Sequence, residues 1–395
     1  MPPPRIVFFT LALLGSLLPM TSCPAANGPG IPPAGEFFVF YGIAERTAGK
    51  GISLGRFNSS TGTLTTPALA VEAFGPSFFT LSADRRFLYA CHEPAAEIAA
   101  YAVDQTTGAL RLLNKLPSGG GGPCHISLDR TGRFALVANY NGGSVAVFAL
   151  APDGSLGTRT AFDQHMGTGP HPRQEGPHAH GILTDPSNRF AFCADLGTDK
   201  IYIYRFDEKT GGLTPSPNPG PDKASPPYGT VTPGAGPRHL VFSPDGKALY
   251  CLNELNGTLT AFSWDAASGR LTETQTIATL PDGFAGANLN AEIQLHPNGR
   301  FLYTSARGHD AIAVFAINPA TGRLTLVQDM PNRGKTPRYF GFDPTGQWII
   351  SGNQESNTAV VFKVDSVTGR LTPSGEPVTA PGPICMAFIP VPPAR

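Results

Sequence analysis

The sequence predicts an all-β fold, and within that class a seven-bladed β-propeller closed by its own two ends. Three observations carry this. Gly (46) and Pro (40) account for about a fifth of the 395 residues, and without a collagen-like period such richness means many turns. A motif of about fifty residues recurs along the chain, the period of a propeller blade. The two ends carry complementary parts of one further copy. Length permits several domains, but all-β folds of this size commonly form one. With 41% hydrophobic and 15% charged residues, a long disordered chain is excluded. Lys+Arg and Asp+Glu are both 29, a net charge of zero, so the basic excess of a nucleic-acid binder is missing.

Residues 1–22 (MPPPRIVFFTLALLGSLLPMTS) place Arg5 before an apolar run from Ile6 to Leu18, followed by small residues. This is the layout of a secretory signal peptide, and the run is short for a transmembrane helix. Met20-Thr21-Ser22-Cys23 has the form of a bacterial lipobox. It implies membrane attachment through lipid on Cys23, the first mature residue; the alternative is ordinary export with cleavage nearby. Either way the mature protein is expected in the periplasm or cell envelope. Residues 24–35 (PAANGPGIPPAG) form a Pro/Gly-rich tether with no core to bury. The propeller is expected over 36–390, with a short tail at 391–395.

Each copy reads as strand, D/N-x-G-R-F-type turn, strand, polar loop, strand, T-G-x-L turn, strand. Six complete copies begin at or near Pro76, Pro123, Pro177, Pro237, Asn290 and Pro337. Residues 383–390 (PICMAFIP) match only the first strand of a copy, and 36–64 only the last three. Joined, they make the seventh blade and remove the free sheet edges that invite aggregation. The Asp and Arg of the first turn and the Gly of the second have structural roles, since Gly supplies a positive φ.

In a propeller the first strand of each blade lies nearest the channel, and the loop after the second strand returns to the same face. Two rings of positions therefore converge. The first ring follows the opening Pro: Ser77, Cys124, His180, Arg238, Ala291, Arg338 and Ile384, with His125, Gly181, His239, Glu292 and Tyr339 one place on. The second comprises Glu93, Tyr140, Leu196, Glu254, Arg307 and Gln354, with His92, Asn139, Asp195 and Asn253 one place earlier. Of only nine His in the chain, His92, His125, His178, His180, His239 and His309 lie in or beside these rings. Arg binds carboxylate or phosphate in bidentate fashion, and His moves protons near neutral pH. The set suits a small anionic substrate whose ring is opened or closed by proton transfer. His125 and His239 equally suit hydrogen bonds between blades, whereas charges facing the channel are costly unless paired or wetted.

Other chemistry is thin. There is no G-x-S-x-G elbow or H-E-x-x-H zinc motif. His178-x-His180 lacks further ligands, and the surrounding cations argue against a divalent ion, so no metal or cofactor is expected. The glycines at 119–122 precede no helix. Five cysteines beyond Cys23 have wide spacings that match no metal signature, and Cys91, Cys193 and Cys251 fall in apolar runs, as small buried hydrophobes do.

The blocks GPCHISLDRTGRFALVANYNGGSVAVF, GPHAHGILTDPSNRFAFCADLGTDKIYIYRFD, GPRHLVFSPDGKALYCLNELNGTLTAF and SARGHDAIAVFAI resemble the seven-bladed lactonase family. That family contains propeller-type 6-phosphogluconolactonases and 3-carboxy-cis,cis-muconate cyclases. The resemblance runs from about residue 36 to 390. It implies a metal-independent hydrolase of a small anionic sugar lactone. It implies catalytic residues at His180 (less readily His178), Arg238, Glu254 and Arg307, with His178, His125, His239, Glu292 and Arg338 as substrate-binding candidates. In that reading Arg238 and Arg307 hold the anion and stabilise the oxyanion, and His180 exchanges protons with Glu254 as its partner. The first blade departs from the family, reading FYGIAERTAGKGI. An export signal also fits poorly with a cytoplasmic phosphorylated substrate. The alternatives are a lactonising lyase of the carboxymuconate cyclase type and a non-catalytic envelope propeller that binds a ligand or partner protein. Oligomeric state is not legible.

Overall fold

The computed structural model describes residues 1–2, 33–44, 50–216 and 227–392. Residues 3–22 of the signal segment, Cys23 and most of the tether lie outside the described residues, as do the last three residues of the tail. No helix among the described residues is long and apolar enough to cross a membrane.

The described strands form seven antiparallel sheets. One blade illustrates all: Pro123–Leu128, Phe134–Asn139, Ser144–Leu150 and Leu156–Gln164 pair in sequence order from the channel outward. Every residue of Phe134–Asn139, Phe190–Asp195 and Trp348–Asn353 is buried. These second strands are mostly apolar because neighbouring blades cover both faces, with a polar residue (Asn139, Asp195, Asn353) at the end toward the polar loop. The core is accordingly a series of inter-blade clusters. In one, Tyr89, Cys91 and Ile98 meet Ile126, Ala135 and Val137 of the next blade. The outermost strands carry the exposed positions.

The D-x-T-G-R turn is built by its aspartate. Asp129 Oδ1 accepts the amides of Arg133 (2.8 Å) and Phe134 (2.9 Å), while Oδ2 accepts the Thr131 hydroxyl (2.6 Å). Gly132 takes φ +67°, where a Cβ is disfavoured. Asp185 repeats the arrangement on Arg189 and Phe190.

The ends close one blade. Pro383–Pro390 supplies its innermost strand and pairs antiparallel with Glu36–Ile43, followed by Gly51–Asn58. The outer strand extends further than the sequence motif indicates: Thr63–Leu64 is followed by Ala68–Glu72, which also pairs with Gly51–Asn58. The T-G-x-L turn marks only the start of that strand, so the motif ended too early. Trp348 of the preceding blade donates its indole N–H to Ser59 O (2.8 Å) and stacks edge-on against Phe57. All five described cysteines are free and buried, as expected of small apolar fillers.

One irregularity recurs in every blade. The register of the innermost strand slips by one residue near its start: between Pro76 and Phe78, Pro123 and His125, Ala179 and Gly181, Pro237 and His239, Asn290 and Ile293, Pro337 and Tyr339, and Pro383 and Cys385. A β-bulge leaves one residue unpaired and re-aims its side chain. The bulged residues are Ser77, Cys124, His180, Arg238, Arg338 and Ile384, with Ala291 and Glu292 sharing the seventh place. This is the first ring read from the sequence. Its residues converge because seven bulges turn them toward one axis.

Candidate active site

All seven bulges contribute to a narrow neck of about 10 Å³, the seventh through Glu292, together with Phe78, Glu93, His239 and Tyr339. Beside it opens a wider cavity of about 350 Å³ lined by Glu93, Cys124, Tyr140, Arg173, His180, Glu254, Leu289, Arg307 and Arg338. A polar lobe of about 420 Å³ adds Ser77, Asn141 and Gln354, and shares Glu93 and Arg338. The two wider cavities match the size of small-molecule sites.

Glu254 sits at the centre of a cation cluster. Its Oε2 accepts from Arg238 Nε (2.9 Å), and its Oε1 from Arg173 Nη1 (2.7 Å), with Arg307 Nη2 at 3.1 Å. Burial works to raise this carboxyl, but the guanidiniums of Arg307, Arg238 and Arg173 outweigh it and hold it well below the ordinary range. Glu254 is therefore a permanent anion near neutral pH. His180, its expected proton partner, has its Nε2 4.0 Å from Oε2. Arg238 is fixed further by a hydrogen bond to Ala291 O, and Arg307 by bonds to Leu289 O (3.3 Å) and Asn290 O (3.0 Å). Burial lowers the Arg307 guanidinium to about 10, which leaves it charged near neutral pH.

Arg173 escaped the sequence reading because it lies in no repeat. It belongs to the segment between the second and third complete blades, which is tied down at both ends. His165 Nδ1 meets Asp195 Oδ2 at 2.6 Å, both side chains fully buried. Gln174 donates to Leu196 O (2.7 Å) and Asp199 Oδ1 (2.7 Å). Between these anchors Arg173 reaches Glu254 and the Tyr140 hydroxyl (2.8 Å), and the insertion meets the second-ring residue Leu196, which is buried, through the Gln174 bond to its carbonyl. The one available signal was an Arg in a Gly/Pro-rich insertion adjoining the His178/His180 block.

The histidines divide. His180 is 4% exposed and lines both the neck and the wider cavity. Burial, and then Arg238, His239, Arg338 and His125, hold it neutral, well below its usual range. His239 lines the neck with its ring centroid 5.0 Å from that of His180. His125 lines none of these cavities; it stacks on Phe78 at 4.4 Å. His178 stands behind Tyr140, stacked at 4.5 Å, and bonds Tyr140 O at 3.0 Å. His92 is buried against the Tyr101 hydroxyl, and His309 bonds Asp329. Proximity to the rings in sequence does not place these last four on a cavity wall. The Arg338 guanidinium borders all three cavities and has no hydrogen-bond or ion-pair partner among the described residues. Cys124 also lines the neck, but burial drives its thiol far above the range of a nucleophile.

A seven-bladed shell with this mouth can be compared with known proteins. Residues 38–388 match the family model described as Lactonase, 7-bladed beta-propeller. The chain belongs to the seven-bladed lactonase family. It is 34% identical to the 6-phosphogluconolactonase of Bacillus subtilis over 90% of this chain and 99% of that one. Among solved structures, the periplasmic gluconolactonase of Pseudomonas aeruginosa superposes with a TM-score of 0.84 at 30% identity, covering 90% of this chain and all of that one. A protein from Lactobacillus plantarum gives 0.82 at 32%, covering 89% and 99%. The resemblance read from the sequence and the expected lactone hydrolase are both borne out.

Proposed function

We propose that this lactonase hydrolyses a small anionic sugar lactone at the channel mouth, outside the cytoplasm. One observation carries the reading: Arg173, Arg307 and Arg338 line a cavity beside neutral His180, Arg238 lines the adjoining neck, and Glu254 is the one carboxylate bonded within this cluster among the described residues. Arg338, uncommitted to protein, receives the anionic group. The buried guanidiniums stabilise the oxyanion in a low-dielectric setting. Their geometry is held by Glu254, so they need little reorganisation during reaction. His180 takes a proton from the attacking water, a role that requires the neutral ring.

Residues 1–22 direct export in this reading, and Cys23 carries the lipid. The likeness to a periplasmic gluconolactonase supports the location. The location also favours a lactone whose anionic group is a carboxylate over a cytoplasmic phosphate ester.

The test is proton release by the mature chain from Pro24 on 6-phosphogluconolactone, D-glucono-1,5-lactone and a muconolactone, with and without a chelator. Turnover that survives the chelator and falls at least tenfold in Arg338→Met or His180→Asn supports the site. Silence on the whole panel by a folded protein would overturn it in favour of a binding scaffold.

A further inference from the structure

The neck is lined by two carboxyls that the scheme above leaves unused, Glu93 and Glu292, and of these Glu292 is buried. Glu292 is 5% exposed, and its Oε2 has no hydrogen-bond partner among the described residues. Oε1 accepts only the Ile293 amide (3.1 Å), and the Glu292 amide donates to Ser305 Oγ (3.1 Å). His239 Nδ1 approaches Oε2 at 3.2 Å without the alignment of a hydrogen bond. On the same neck, His180 Nδ1 is likewise buried with no partner among the described residues. A buried polar atom without a partner costs roughly 1–3 kcal/mol. Three such atoms, Ser77 Oγ included, on a cavity sized for about one oxygen atom mark a place where a polar group of the reaction is received.

Resting on the lactonase reading, we propose that Glu292, beside His239, is the general acid of ring opening and that His180 is the base. Water adds its oxygen to the lactone carbonyl carbon while its proton passes to His180. The bond between that carbon and the ring oxygen then breaks, and the departing oxygen takes the proton of Glu292. Solvent reprotonates Glu292 and accepts the proton of His180. The product acid ionises, so one proton is released per ring opened.

The protonation states agree. Burial pushes the Glu292 carboxyl up to about 8, against the pull of Arg238 and the Ile293 amide. The carboxyl is therefore largely protonated at neutral pH. Burial, and then the Arg238 charge, keep His239 neutral beside it. Tyr339 and Cys385 also face Glu292, both held protonated by burial, and His180, Cys124 and Glu93 line the same neck. Arg338 borders the same neck. Glu254 cannot serve as the acid, since it holds no proton. The sign follows: an acid that must be protonated loses activity as pH rises through its folded-state value.

The experiment measures kcat and KM on D-glucono-1,5-lactone and its 6-phosphate from pH 5.5 to 9, corrected for spontaneous hydrolysis, in wild type, Glu292→Gln, Glu292→Asp and Glu292→Ala. In wild type, kcat declines above pH about 8. Glu292→Gln lowers kcat about 100-fold or more with KM within threefold, and removes that decline. Glu292→Asp restores part of kcat, and added formate restores part of it to Glu292→Ala. Retained gluconate binding by calorimetry shows an intact mouth. Wild-type turnover with Glu292→Gln within threefold in kcat overturns the acid role alone. So does loss of gluconate binding in Gln and Asp alike. A wild type inactive on both lactones overturns the lactonase reading with it.

Discussion

Replacing Glu254 by Gln separates two accounts of this carboxylate. Three guanidiniums converge on its oxygens at 2.7–3.1 Å, and the Arg238 and Arg307 side chains are 4% and 12% exposed. Gln keeps the shape but removes the charge. It also turns one oxygen into an NH₂ group that can only donate, facing guanidinium N–H groups that can only donate. Whichever way the amide turns, at least one arginine loses its acceptor, and two buried cations lose their counter-charge. Breaking a buried pair in this way costs roughly 3–5 kcal/mol. Arg173 relieves little of it, being 39% exposed and already well solvated. The expected result is a fall in Tm of roughly 5–10 °C. KM should rise at least tenfold, because the cations no longer hold their positions. The assays are calorimetric melting and steady-state proton release on the same preparation. An unchanged Tm and KM with only kcat reduced would refute the reasoning and return Glu254 to proton transfer. Wild-type Glu254 contributes stability that is present above the ordinary carboxylate range and is lost as pH falls through its depressed folded value.

Arg338→Met should raise KM for an anionic lactone at least tenfold while leaving Tm within about 2 °C, since no protein partner is broken; equal KM values would mean that another cation receives the anion. Arg173→Met removes the link between Glu254 and Tyr140 and should lower kcat/KM about tenfold or more, with a smaller Tm loss than Glu254→Gln because its side chain is partly exposed. Trp348→Ala deletes the ring that packs on Phe57 and bonds Ser59 O. A loss of roughly 3–5 kcal/mol is expected in denaturant melts, and a loss below 1 kcal/mol would show that the closing blade is held by its strand pairing alone.

Much of the site was legible because it is periodic. His180, Arg238 and Arg338 occupy equivalent places in different blades, and a repeat aligns equivalent places whatever residue fills them. Glu254 and Arg307 follow in the same way from the loop after the second strand. The sequence also carried the closure, since half-repeats at two ends have one mutual solution. Tertiary structure decided what periodicity cannot encode. Arg173 reaches the mouth from an insertion outside the repeat, and its position depends on the His165–Asp195 and Gln174–Asp199 anchors. His92, His125, His178 and His309 stand beside ring positions in sequence, but their side chains pack between strands, behind Tyr140 or against Asp329. The two glutamates differ most. Both are buried acids on neighbouring positions of the rings, yet one is held ionised by three arginines and the other is held protonated by burial against the pull of Arg238. Residue type determines that a group can titrate. The charges and the water it meets in the folded channel decide in which form it works.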